Sequence, residues 1–119
     1  MPRYISSFVT PVPKKNLAKY RKMALRTAKV FRDHGAVSYT ECVADDVKPG
    51  KITSFPQSVK LKKGETVVFG WVEFKSRKHH DQVMAKAMKD PRFAAMMEEE
   101  MPFDGMRSFW GGFKPMIEA

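Results

Sequence analysis

The charged side chains most able to do chemistry stand in two strand-like stretches. Glu41 lies in Ala36–Val43 (AVSYTECV) and Arg107 in Met106–Phe113 (MRSFWGGF). A charge that points inward from a strand must find a partner, because an unpaired buried charge is costly. If both point inward they can pair, and the pair then either polarises an acidic ligand or substrate or only fixes strand register. Tyr39 and Trp71 join them as candidate catalytic residues on neighbouring strands. Asp45 and Asp46 have the form of a general-base or cation pair, yet aspartate ahead of Pro49-Gly50 is ordinary loop chemistry. Asp104-Gly105 reads as a tight turn in which Asp104 accepts backbone N–H bonds. His79 and His80 are adjacent on a helix, so they point about 100° apart, and with no third ligand at i+4 no metal site is expected. Cys42 is the one cysteine, which excludes an intrachain disulfide and a cysteine metal cluster; it reads as an inert buried thiol.

The 119 residues are 43% hydrophobic and 29% charged, a globular composition that fits one domain over 1–119. The opening MPRYISSFVTPVPKK has no apolar run of the secretory kind, and no stretch approaches a membrane span, so a cytoplasmic protein with no membrane partner is expected. The formal charge of +9 raises anionic partners. Lys15, Lys19, Lys22, Arg26 and Lys29 make one stripe of a helix whose opposite stripe is apolar. No aromatic residues interleave that stripe for base stacking, so it reads as a solvated helix back and nucleic-acid binding ranks last.

The elements that must position these residues follow from patterning. Tyr4–Thr10 reads as a strand closed by Pro11, and the next helix buries Leu17, Tyr20, Ala24, Thr27, Ala28 and Phe31 and stops at His34-Gly35. Val37, Tyr39, Glu41 and Val43 share one face of a second strand. Glu65–Phe74 (ETVVFGWVEF) is apolar almost throughout, the mark of a strand covered on both faces. Ser76 caps a helix to about Lys89, and Asp90-Pro91 opens a shorter one, Arg92–Glu100. A last strand, Met106–Phe113, is expected to be weakened or bulged at Gly111-Gly112. Met84, Met88, Met96, Met97 and Met106 read as core filler. The stretch 44–64 is too long for a hairpin and reads as a lid, a dimer arm or a cover for its own sheet.

Strand, helix, two strands, helix, strand is the order of a ferredoxin-like α+β fold, βαββαβ, an antiparallel four-stranded sheet with helices on one face. The other face then carries either Val68, Val72 and Phe74 or Phe69 and Trp71, and both sets are apolar. Two copies pairing across a two-fold axis cover such a face most simply, so a homodimer is expected.

The segments Tyr39–Val47, Lys51–Pro56, Met101–Gly105 and Gly111–Phe113 resemble the YbaA-like family of bacterial proteins of unknown function, across essentially the whole chain. The resemblance implies the dimeric α+β barrel superfamily, in which two such sheets close face to face. Relatives there include cofactor-independent monooxygenases, haem-degrading enzymes, isomerases and ligand-sensing domains, so the fold leaves the activity open. The haem-degrading branch places an Asn on the first strand, whereas the one asparagine here is Asn16, so no cofactor is expected. The leading expectation is a small apolar or aromatic ligand held between sheet and helices under the 44–64 segment. Its binding residues are expected among Asp45, Asp46, Phe55, His80, Asp104 and Trp110. If the protein is an enzyme, cofactor-independent oxidation or isomerisation of an aromatic substrate is the expected reaction. The competing expectation is an interaction module with no small-molecule site.

Overall fold

The computed structural model describes residues 3–119. β1 (Tyr4–Pro13) leads through a 3-10 turn into α1 (Leu17–Asp33), and β2 (Ser38–Val43) follows. A short α2 (Phe55–Ser58) lies between β2 and β3 (Glu65–Phe74). Then come α3 (Arg77–Met88), α4 (Pro91–Met97), a second 3-10 turn at Gly105–Arg107, and β4 (Phe109–Phe113). The strands form one antiparallel sheet in the order β2-β3-β1-β4.

Side chains alternate across a pleated strand, so the register assigns the faces. The pairs Tyr4↔Phe74, Phe8↔Gly70 and Tyr39↔Val72 put Tyr39, Glu41, Val68, Val72 and Phe74 on one face. There Tyr4, Val72 and Phe74 meet Val30 and Phe31 of α1, Val83 and Ala87 of α3, and Met96 of α4. Val12 and Val68 pack with Tyr20 in an adjoining cluster. Phe69 and Trp71 lie on the outer face, the second of the two registers expected.

Several boundaries differ from expectation for local reasons. β1 continues through Pro11 and Pro13. Lys14 N donates to Gly64 O at 2.8 Å, so the odd positions 11 and 13 turn their missing N–H away from β3. β4 pairs only with Ile5–Val9, so the prolines meet no partner strand on that side. β4 starts at Phe109 because Asp104 caps a 3-10 turn, accepting from Met106 N at 3.0 Å. α4 ends at Met97, three residues before the expected stop. Met84 and Met96 do pack in the core, whereas Met88, Met97 and Met106 are exposed, the first two at helix ends and the third in the turn. Cys42 is exposed on the outer face, paired with Phe69, and is not the buried thiol expected.

The helix ends behave as the sequence demands. Ser76 accepts from His79 N at 3.0 Å, and Gly35 leaves α1 with φ 108, a conformation that favours glycine. Asp90 caps α4 by accepting from Arg92 N at 2.8 Å, and its buried carboxylate also meets His34 Nε2 at 2.8 Å and the Arg92 guanidinium. Arg92 reaches on to Asp33 at 2.7 Å, fastening the end of α1 to the start of α4. The hydrogen bonds from Arg92, then that from His34, hold the Asp90 carboxyl well below the usual aspartate range. Stability from a depressed carboxylate is present above the unfolded pKa, about 3.9, and is lost as pH falls through the folded value. Asp90→Asn should therefore flatten the acid limb of the Tm-against-pH curve between about pH 5 and 2; parallel curves for variant and parent would contradict this role.

Candidate functional site

Glu41 sits mid-strand on the helix-facing side, opposite Gly70. Tyr20 of α1 donates its phenolic O–H to Oε1 of Glu41, and Tyr39 donates to Oε2 at 2.7 Å. Phe31 stacks on the Tyr39 ring at 6.0 Å and Phe103 meets Tyr20 edge-on at 5.5 Å, so two aromatic contacts orient the phenols. Burial, and then the Glu41 charge, push both phenols far above the ordinary tyrosine range. With both oxygens engaged by protein donors, the carboxylate anchors α1 to β2.

A phenol whose folded pKa is raised contributes stability that is whole below the unfolded value, about 10, and is lost as pH rises, because the unfolded chain ionises first. Tyr20 and Tyr39 should therefore show phenolate absorbance near 295 nm only as the fold opens. Ionisation of both near pH 10 with far-UV dichroism intact would contradict the buried cluster.

The expected pairing of Glu41 with Arg107 does not occur. Arg107 belongs to the 3-10 turn before β4 and binds Glu65 instead, with Nη1–Oε1 at 2.7 Å and Nη2–Oε2 at 2.6 Å. Its Nε donates to Asp104 at 2.8 Å, and Nη1 also reaches the carbonyl of Lys60 at 3.0 Å. Alternation misled here because a turn, not a strand, sets where Arg107 points. The result is a clamp joining the start of β3, the approach to β4 and the end of the 44–64 segment.

That segment crosses the outer face of its own sheet. Ser54 caps α2 by accepting from Gln57 N at 3.2 Å, and Val59 then packs against Val9 and Val67 with Leu61 beside them. An open groove of ≈ 220 Å³ runs between this belt and the sheet. Cys42, Val43, Val47, Phe55 and Phe69 line it, and Asp45 brings the one carboxylate of its lining. Phe55 meets Phe69 edge-on at 6.0 Å, and Phe69 lies 5.7 Å from the Trp71 ring.

The candidate residues thus fall in separate places. Tyr39 and Glu41 share the helix-side cluster; Arg107 and Asp104 share the clamp; Asp45 and Phe55 share the groove, with Trp71 beyond its wall. Asp46 is exposed in the loop, outside the groove lining. His80 leans on Tyr4 at 5.0 Å and Phe74 at 4.8 Å, and its Nδ1 meets Asp81 at 2.8 Å. Trp110 is 76% exposed, on the helix-facing side of edge strand β4. Cys42 and Phe69 are groove residues that the sequence reading did not select, although the period-two pattern of β3 places Phe69 beside Trp71 on one face. A second open cleft, of ≈ 490 Å³, is lined by Arg3, Tyr4, Arg77, Lys114 and Glu118 among others. Its arginines are already occupied, Arg3 by Glu73 and Glu118 and Arg77 by Asp81. Among the described residues no helix is long and apolar enough to cross a membrane.

The sheet order, the helices on one face and the belt on the other define an α+β protein of the ferredoxin-like class. A family model described as protein of unknown function (DUF1428) matches residues 3–105, and the chain belongs to that family. It is 41% identical over 116 residues to the uncharacterized protein YbaA of Escherichia coli, with 98% of each chain covered, and equally to YbaA of Shigella flexneri. Among solved structures, it is similar to a dimeric ferredoxin-like protein from an uncultured marine organism, with a TM-score of 0.58 and 12% identity over the whole of both chains. It is also similar to Rv0793 from Mycobacterium tuberculosis, with a TM-score of 0.51 and 15% identity over 100% of this chain and 99% of that one. At such identities the structural likeness is one of fold.

Proposed function

We propose that the protein is a homodimer that binds a small apolar or aromatic molecule in the groove between the outer sheet face and the 44–64 belt. The supporting observation is the groove itself, walled by Val47, Phe55 and Phe69 with Asp45 at its margin. An apolar cleft with one polar group is the usual form of a small-molecule site, the aromatic walls giving affinity and the carboxylate orientation. The helix-side face is a poorer place for a ligand, because Val72, Phe74, Val83 and Met96 fill it. Dimerisation is supported by the outer face, where Phe69, Phe109 and Phe113 are 37%, 44% and 59% exposed in the single chain, and by a dimeric structural relative. The reading stops at binding, since Tyr39 with Glu41, Trp71, and Arg107 lie in three different places.

A thermal-shift screen against aromatic acids, amines and neutral metabolites tests it, because a ligand must raise Tm by mass action. Hits should quench Trp71 fluorescence in a Trp110→Phe background and should lose at least tenfold in affinity on Phe55→Ala. Hits whose affinity ignores Phe55, or a screen with no hits, would favour the interaction module.

A further inference from the structure

We infer that the cleft between the start of β1, the head of α3 and the segment after β4 is a second ligand site, for a small organic carboxylate, and that Glu118 competes for it from within the chain. The cleft lies at the Tyr4 and Phe74 end of the sheet, away from the groove beside Val67 and Phe69.

Three cations line its ≈ 490 Å³, Arg3, Arg77 and Lys114, against one carboxylate, that of Glu118. Arg3 donates to Oε1 of Glu118 from Nε and from Nη2, each at 2.8 Å, while its Nη1 holds Glu73 at 3.0 Å. Arg77 gives Asp81 only its Nε, at 3.3 Å, and its guanidinium stands 5.6 Å from the centre of the Tyr4 ring. Lys114 joins none of the ion pairs among the described residues.

A buried hydroxyl points to the same kind of occupant. Tyr4 is 7% exposed, yet no acceptor among the described residues takes its O–H. Every fully buried side-chain oxygen has a partner, so this one opens on the cleft that Tyr4 lines. Gly112 makes room for it: a Cβ there would fall 2.6 Å from Tyr4 Cζ, so the phenol lies over β4 two residues before Lys114. A phenol donor beside guanidinium and ammonium donors suits an acceptor-only anion, and a carboxylate is what Arg3 already holds. Glu73 and Asp81 behind the arginines offset two of the three positive charges, so a monoanion fits better than a phosphate dianion. The Tyr4 ring, Pro115 and Met116 offer a wall for its apolar body.

The resident carboxylate is weakly held. Met116 and Ile117 are 90% and 78% exposed, so the segment that carries Glu118 packs on little. The side chains of Arg3 and Glu118 are themselves nearly half exposed, and such a pair favours its closed state by about fivefold at most. A free carboxylate that also takes the Tyr4 proton and meets Lys114 displaces it.

Titration with hexanoate, followed by NMR at the Arg3 Nε–Hε and Gly112 amide signals, tests the site. Both signals should shift saturably, hexanamide should move neither, and Glu118→Gln should tighten hexanoate by about fivefold as the competitor leaves. In that background Tyr4→Phe and Lys114→Gln should each weaken it by about threefold or more, with far-UV dichroism unchanged. Shifts that sodium chloride reproduces at equal ionic strength, or an affinity indifferent to both Tyr4 and Lys114, would overturn the site. An affinity unchanged by Glu118→Gln would overturn the competition, and tighter binding of inorganic phosphate than of hexanoate would overturn the carboxylate class.

Discussion

Gly70→Val is expected to destabilise the protein by about 3 kcal/mol, read as a lower midpoint in urea unfolding. A Cβ at position 70 would clash with the edge of the Phe8 ring, 2.8 Å from Cε2, and lie 2.9 Å from the Thr40 carbonyl oxygen. Neither obstacle yields easily: the carbonyl is strand backbone, and Phe8 packs against the core with the Tyr39 ring 6.4 Å away. Gly70 lies opposite both Phe8 and Glu41, so its missing side chain lets Phe8 lie across β3 toward Tyr39. Pushing that ring aside should also loosen the Tyr39 hold on Glu41, and the alkaline loss of stability should begin at lower pH. Gly70→Ala should show the same effects at reduced size. An unchanged midpoint for Gly70→Val would mean that Phe8 has room the packing denies it.

Arg107→Met should have the larger effect on function, because it keeps the side-chain length and removes every donor of the clamp. Glu65 would keep only the bond from Lys62 N at 2.7 Å, its side chain being 8% exposed. An ionised carboxylate stripped of its partner in such a place is strongly destabilising, and Tm should fall on the order of 10 °C. The carbonyl of Lys60 would lose its donor too, so the belt should detach and the 44–64 segment become the first site of proteolytic cleavage. Ligands that bind the groove should be lost with it. Arg107→Lys should not restore the parent, since one ammonium cannot meet Glu65 in bidentate fashion and still reach Asp104 and Lys60. Adding Glu65→Gln to Arg107→Met should recover part of the Tm by removing the stranded charge. A single variant within about 2 °C of the parent would show that the clamp is not what holds the belt.

Local rules made much of the fold legible. The 3.6-residue spacing of Tyr20, Ala24, Thr27 and Phe31 identifies α1, and the caps at Ser76 and Asp90 mark where α3 and α4 begin, because a cap is chemistry between near neighbours. Period-two alternation put Tyr39 and Glu41 on one face. β4, by contrast, runs unbroken through Gly111-Gly112 in register with β1, where no bulge forms, and a Cβ at Gly112 would fall 2.6 Å from Tyr4 Cζ. Composition and strand order together called for a sheet with one covered and one bare apolar face.

The partners of the charged side chains were not legible. Alternation says which way Glu41 points but not which phenols wait there, since Tyr20 arrives from a helix 21 residues away in sequence. Arg107 left its expected strand because the Asp104 cap forms a turn first, and its ion pair with Glu65 spans 42 residues. The belt, the groove it roofs and the exposure of Cys42 depend likewise on where a long connection comes to rest. What the sequence determined by itself was the order of the main helices and strands and which side chains of each share a face, since periodicity and capping act within a few residues. Only the tertiary structure decided which groups meet, because those contacts join segments whose approach is set by the packing of the whole sheet.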